Sequence, residues 1–429
     1  MPLNWKLPKV FYGWWIVAAS VVVAAYVAGA VFYGFTTVFE PIANELGWSY
    51  TQVSLAASLR GLEMGLLAPV VGILVDRWGP RRLIAGGVVS AALGLILLSR
   101  VNSLGMFYGA FVLITVGTSA TTMTVLMTAV ANWFQHKIGI ASGIAISGFG
   151  LGGLLVPVMV KLIELYDWRM TIIIIALGML AVILPLSLVF RHKPEQYGYL
   201  PDGQVEDTVA DTVAAFNNNP KLQQATEVGL TTKQALRSGT FWRIALAFTV
   251  HVMLVSTVIT HVMPYLSSIG VARSRSSLVA TAIPVISIGG RLGLGWLGDK
   301  VNRKFLAAGA FASISVGMLC FGYISTTTIW LIIPFIIFFS IGYGGLNVQR
   351  PSLVREYFGR ANFGTIFGLI IGVNMLGGII GPTLAGWVYD TWGRYQGIWL
   401  ALAGLPIAAL ISMLTIAPVR TVAQVTDKA

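Results

Sequence analysis

Twelve stretches of this chain are each long and apolar enough to cross a bilayer as a helix, and that limits the fold more than any other feature. A crossing takes about 20 apolar residues in helical form, because the hydrocarbon core offers no water to satisfy backbone N–H and C=O groups. The spans are predicted near Gly13–Val38, Thr51–Val75, Leu83–Leu98, Met106–Ala131, Ile138–Val160 and Thr171–Val189 in the first half. In the second half they fall near Phe241–Tyr265, Ser276–Gly298, Phe305–Ile324, Trp330–Val354, Phe363–Val388 and Gly397–Ile416. Only 10% of the residues are charged, against about a quarter in soluble chains. The 48 glycines suit helices whose backbones approach closely. Alternating strands are absent from the sequence, which sets a β-barrel aside. The expected class is an all-α membrane protein.

The net charge of +12 invites a nucleic-acid reading, but its distribution answers differently. With the N-terminus inside, Lys6, Lys9, Arg77, Arg81, Arg82, Arg191, Lys193, Arg303 and Arg420 lie on the cytoplasmic side. Arg100, Arg169, Arg273 and Arg394 are among the few on the other side. This is the bias that fixes membrane topology, so both termini are expected in the cytoplasm of a cell whose plasma (inner) membrane the chain crosses, with no nucleic-acid partner. Lys6 and Lys9 before an apolar run resemble a signal peptide, but the run is too long and lacks a small-residue cleavage site. It is read as a retained first helix. Cys320, the sole cysteine, lies in an apolar run and is read as a packing residue.

The segment from His192 to Ser238 is polar and rich in Asn, Gln, Asp and Thr. It divides the chain into residues 1–191, a cytoplasmic, largely flexible linker over 192–239, and residues 240–429. The two halves echo each other at a register of about 223–224 residues. Gly72-Ile-Leu-Val-Asp76 answers Gly295-Trp-Leu-Gly-Asp299, Trp133-Phe134 answers Tyr357-Phe358, Gly148 and Gly153 answer Gly372 and Gly377, and Tyr166-Asp167 answers Tyr389-Asp390. Two parallel six-helix halves suit a machine that rocks one half against the other around a central site.

Gly72-Ile-Leu-Val-Asp76-Arg77-Trp-Gly79-Pro-Arg81-Arg82 resembles the signature between the second and third helices of the major facilitator superfamily, with a weaker copy over Gly295–Lys304 that includes Asp299 and Arg303. The resemblance implies twelve transmembrane helices in two pseudo-symmetric bundles, and gives these residues a part in closing the cytoplasmic gate. A narrower resemblance, to the monocarboxylate transporter and oxalate/formate antiporter branch, rests on three stretches. They are Phe11-Tyr-Gly-Trp-Trp15, Asn132-Trp-Phe-Gln-His-Lys137 with the glycines that follow, and Gly290-Arg291-Leu-Gly-Leu-Gly-Trp296. It implies that Arg291 binds a substrate carboxylate.

Charges inside the spans point the same way. An arginine near the bilayer centre costs about 2.5–3.5 kcal/mol on insertion scales, and persists facing protein or water. Arg291 stands about two turns before Asp299, some ~12 Å from the helix end, and its planar fork matches a carboxylate. A structural pairing of Arg291 with Glu63 is the competing reading. Arg60 and Glu63 are three residues apart on one helix face, either as an internal salt bridge or as a site where Glu63 exchanges a proton. His251 lies ten residues into its span and is either a proton-exchanging group or a hydrogen-bonded packing residue. Tyr343, Asn347 and Arg350 share one face of the tenth helix. With Tyr33 and Asn374 they complete the candidate substrate-binding set. Three arginines and one glutamate leave the spans positive, which favours an anionic ligand.

The chain departs from the resembled branch in three places. The first helix has no lysine around Tyr33, Ser287 stands four residues before Arg291 where many monocarboxylate carriers have aspartate, and the eleventh helix has no lysine. The expected activity is secondary transport of small organic anions, monocarboxylates such as lactate or pyruvate, with a proton or counter-anion as co-substrate. An oxalate/formate-type exchanger and a non-transporting metabolite sensor are the alternatives. Four scattered histidines, with no HExxH, make no enzyme. No cofactor or metal is expected, and a monomer is.

Overall fold

Helices form wherever the apolar runs lie, and their ends follow local side-chain chemistry. A computed structural model describes residues 11–121, 123–134, 138–192, 194, 230–298, 300–359 and 362–416. Asp299 and the side chains of Arg60, Glu63 and Asp76 lie outside the described residues. The first crossing joins α1 (Gly13–Val27) to α2 (Phe35–Leu46) through a π-helical turn at Ala28–Tyr33. Gly47, in the left-handed conformation at φ 66°, ends it. In α3 (Tyr50–Ser99) Ser49 and Gln52 form a reciprocal capping box at the start. Gly79, at φ 77°, breaks that helix into two crossings, and a Cβ there would lie 3.2 Å from the His192 ring. This is why the signature needs glycine at Gly79. At Gly72 a Cβ would meet nothing within 4 Å, so no steric demand explains that glycine.

The first half continues with α4 (Leu104–Ser119), α5 (Met123–Trp133), α6 (Ile138–Leu151), α7 (Leu155–Tyr166) and α8 (Trp168–Ser187). A short helix, α9 (Thr232–Arg237), precedes the second half. There α10 (Gly239–Ser268), α11 (Arg273–Leu297), α12 (Arg303–Gly322), α13 (Ile332–Phe358), α14 (Phe363–Trp392) and α15 (Gln396–Leu414) each make one crossing. Among the described residues eleven helical runs are long and apolar enough to span a membrane. The part of α3 before Gly79 takes the place of the twelfth.

Two predictions need correction. The first span runs to Leu46 rather than Val38, so Glu40 and Glu45 belong to it. The end of the linker is structured: α9 is capped by a Thr231–Gln234 box, and buried Leu230 donates its amide to the Phe358 carbonyl at 3.0 Å.

Each half has its own apolar core. One gathers around Phe39, Phe107, Phe111, Trp133 and Phe134; the other around Phe248, Phe311, Phe321, Phe335 and Trp399. The sequence register has a structural counterpart. A Cβ on Gly148 would meet the Val21 carbonyl at 2.5 Å, so α6 lies hard against α1, and one on Gly377 would meet the Thr249 carbonyl at 2.2 Å, so α14 lies hard against α10. The counterpart is thus one of helix pairing, since the register partner of Gly148, Gly372, meets nothing within 4 Å and that of Gly377, Gly153, faces Pro284 of the other half.

Hydrogen bonds between described residues of the two halves gather at the centre and at the face opposite Tyr12 and Ile416. On that face Asp390 accepts the amides of Tyr50 and Thr51 at 2.9 and 2.7 Å. Ser58 donates to the Ile379 carbonyl at 2.7 Å, and its oxygen lies 2.7 Å from the Thr383 hydroxyl. Arg273 donates to the Thr37 carbonyl. The molecule is sealed there.

Candidate functional site

Close helix approach brings the central residues together. A Cβ on Gly344 in α13 would fall 1.9 Å from the Ser287 carbonyl of α11, so only glycine lets these helices come so near. One turn beyond Ser287, Arg291 is therefore held beside Tyr343, its guanidinium carbon 5.7 Å from the ring centroid. Arg291 is 8% exposed. One terminal nitrogen donates to the Ile146 carbonyl of α6, in the other half, at 3.1 Å. Its Nε has no hydrogen-bond partner, and among the described residues no carboxylate stands within ion-pair distance of it.

Ser287, where relatives of the resembled branch carry aspartate, is fully buried and donates to the Pro284 carbonyl of its own helix at 2.6 Å. The hydroxyl is thus turned to its own backbone and supplies no charge to Arg291.

Tyr33 closes the π-helical turn, and its hydroxyl lies 3.2 Å from that of Tyr343. Extra-residue turns of this type re-aim side chains and recur at functional sites. The Arg291 guanidinium acts electrostatically on the Tyr33 hydroxyl. The first and tenth crossings thus meet over the arginine of the eighth.

His251 in α10 is 2% exposed, with its ring 6.1 Å from that of Tyr343 and 6.2 Å from Phe248. Neither ring nitrogen has a hydrogen-bond partner. Arg350 lies 5.9 Å from the ring centres of both Phe248 and Phe367, and its Nε is also without a partner. Two aromatic faces offset part of the charge's desolvation, about 2 kcal/mol for a dry contact, well short of an ion pair. Asn374 receives a hydrogen bond from Thr249 at 3.2 Å while its own amide nitrogen goes unpaired.

Not every predicted residue joins this group. Asn347 donates to the Tyr343 carbonyl one turn back at 3.1 Å, which turns its amide to its own helix. Tyr26, on the same crossing as Tyr33, donates to the Ile175 carbonyl at 2.9 Å and braces the first half internally. Arg77, Arg81 and Arg82 are exposed at the face that holds Tyr12 and Ile416, and Arg303 donates to the Gly298 carbonyl at 3.3 Å. Among the described residues no group of three His, Cys, Asp or Glu side chains is placed to hold a metal ion. A cavity of about 20 Å³ lined by Val31, Phe35, Phe111 and Met159 is apolar and lies inside the first half, away from the arginines.

Sequence reasoning missed the sealed face. Asp390 was read there only as one member of the repeat, and Glu40 fell outside a span ended too early. The clue available was Tyr389-Asp390 beside a helix end.

The chain matches the model of the Major Facilitator Superfamily over residues 21–369. It is 24% identical over 426 residues to monocarboxylate transporter 12-B of Danio rerio, across 95% of this chain and 88% of that one. It is 25% identical over 373 residues to an uncharacterized MFS-type transporter, YhjX, of Escherichia coli (strain K12), across 83% of each. In fold it resembles a bacterial homolog of the human lysosomal transporter Spinster, crystallised in an inward-facing and occupied conformation. That match has a TM-score of 0.71 at 15% identity, over 94% of this chain and 96% of the other.

Proposed function

The chain belongs to the major facilitator superfamily, a family of multi-pass membrane transporters and not of enzymes, and from that premise we propose that it carries small organic anions, monocarboxylates such as lactate or pyruvate, by alternating access. The observation that carries this reading is Arg291: a buried guanidinium at the junction of the halves with an unpaired Nε and no described carboxylate beside it. A permanent charge in that position is costly unless something negative arrives. At about 4 Å and an effective dielectric near 20 a carboxylate gains about 4 kcal/mol. Its hydrogen bond to the Ile146 carbonyl is worth about 1.5–3 kcal/mol, so an incoming carboxylate outcompetes the tether.

The hydroxyls of Tyr33 and Tyr343, 3.2 Å apart, are the proposed donors to the same anion. Arg60, Arg350 and Asn374 complete the proposed binding set, and Asn347 joins it only by releasing the Tyr343 carbonyl of its own helix. His251, with both ring nitrogens open, and Glu63 are the proposed proton carriers. The halves at 1–191 and 240–429, joined by the linker at 192–239, are the bodies that rock, with cytoplasmic termini in the plasma (inner) membrane of a monomer. The signature residues Gly72, Asp76, Arg77, Gly79, Arg81, Arg82, Asp299 and Arg303 belong to the gate on the cytoplasmic face. Oxalate/formate-type exchange is the second reading, and the observation in its favour is a second buried arginine, Arg350, whose Nε has no hydrogen-bond partner.

Proteoliposomes loaded with buffer or with formate and offered lactate, pyruvate, formate and oxalate, with and without an imposed pH gradient, test the proposal. Accumulation of lactate or pyruvate driven by an acid exterior is the expected result. Oxalate uptake that needs internal formate and ignores the gradient selects the exchanger, and no uptake of any of the four refutes the anion assignment.

A further inference from the structure

The sealed face, called outer here, contains a titratable group that the central site does not use. His261 in α10 is 0% exposed and sits between the halves. Its Nε2 lies 2.9 Å from the Pro382 carbonyl and 3.1 Å from Ser54 Oγ, and its Nδ1 lies 3.0 Å from the Tyr395 hydroxyl. Ser54 belongs to α3 in the first half; the other partners belong to the second.

The protons can be assigned by what each partner is able to do. A carbonyl only accepts, so Nε2 carries a hydrogen. Ser54 already donates its single proton to the Tyr50 carbonyl at 2.6 Å, so towards the ring it also only accepts. Burial pushes the Tyr395 phenol well above the ordinary tyrosine range, so it keeps its proton and gives it to the bare Nδ1. With a neutral ring every atom of the cluster is satisfied. A second hydrogen on Nδ1 turns Tyr395 into an acceptor and strands its own proton, because among the described residues that hydroxyl has no other partner.

The surrounding charges do not receive a cation here. Asp390 of α14 acts on the ring through space, but its oxygens are taken up by Tyr50 and Thr51. Glu40 of α2 faces Ser267, Arg273 and Tyr50. Arg273 of α11 lies towards Thr37 and Glu40. Tyr50 and Tyr389 stack at 4.4 Å, Tyr389 stacks in turn on Tyr395, and Tyr265 donates to carbonyls of the α12 end.

We propose that His261 is a proton-binding site of the outer gate, where the neutral imidazole holds the outer ends of the halves together and a proton taken from the outer solution parts them. The step adds one proton to Nδ1 and releases none. The open state binds the extra proton and the sealed state does not, so mass action favours opening as pH falls.

The test needs no substrate, so it stands or falls apart from the cargo assignment. In a Cys320→Ser background, cysteines replacing exposed Asn102 and Thr326, on outer loops of opposite halves, are spin-labelled. Distances are measured by pulsed EPR in nanodiscs at about pH 8 and about pH 5, either side of the ordinary histidine range. One short distance at the higher pH and a second, longer population at the lower pH are expected. His261→Gln, whose amide can donate to Pro382 and accept from Tyr395 without titrating, is expected to stay short at both. A parent distribution unchanged between the two pH values, or a lengthening that persists in His261→Gln, overturns the proposal.

Discussion

At the scale of single residues, the decisive contrast is between Arg291 and the arginine that has found a partner. Arg169 donates to Glu45 at 2.9 Å and to the carbonyls of Ser99 and Val101, which occupies three of its five donors on a half-exposed surface. Arg291 is more deeply buried and, among the described residues, has one carbonyl and no carboxylate. Replacing it with lysine keeps the charge but loses the fork. Arg291→Lys is expected to weaken uptake about ten- to a hundredfold, the loss of about 1.5–3 kcal/mol from one charge-assisted hydrogen bond. Initial-rate uptake in proteoliposomes measures it, and an unchanged rate contradicts the role. Arg291, Arg350 and His251 were legible in the sequence because a polar group in an apolar run is expensive and therefore conspicuous. The hydroxyl pair of Tyr33 and Tyr343 was not, since its members stand 310 positions apart and no local pattern records which faces will meet. The Ile146 carbonyl was invisible for a simpler reason: every residue has one.

At the scale of helices, apolar length gave the crossings but not their ends. Hydropathy falls at Glu40, yet the helix continues, because its backbone gains by staying hydrogen-bonded as far as a glycine able to adopt φ 66° at Gly47. The same blindness applies to helix contacts, which depend on where small residues face. Gly344 and Gly293 look alike in sequence. A Cβ on Gly344 would strike the Ser287 carbonyl, whereas one on Gly293 meets nothing within 4 Å. Gly344→Ala is expected to force α13 from α11 at a cost of about 1–3 kcal/mol, lowering the thermal midpoint of the purified protein and loosening the Arg291–Tyr343 contact. Gly293→Ala in α11 is expected to leave the midpoint in place or raise it, by restricting the unfolded chain. Fluorescence-detected thermal unfolding in detergent compares them, and equal midpoints contradict this account of how the site is assembled.

At the scale of the whole molecule, the repeated register announced paired halves, and the tight α1–α6 and α10–α14 approaches repeat the helix pairing in three dimensions, though through glycines, Gly148 and Gly377, that are not partners in the register. Which face would be sealed was not written in any motif. It depends on Asp390 reaching across to Tyr50 and Thr51, while its counterpart in the register, Asp167, caps its own helix through Met170 at 2.8 Å. Equivalent residues thus hold one half internally and tie the two halves together, and the binding residues are left at the junction. The central claim is that the Arg291 charge at that junction, with no carboxylate beside it among the described residues, selects a carboxylate. Calorimetric titration of the purified protein with lactate, and with lactamide as its uncharged match, tests this most directly. The account predicts that lactate binds, that lactamide does not, and that Arg291→Gln abolishes lactate binding. Equal binding of the two ligands, or lactate binding undiminished in Arg291→Gln, would contradict it.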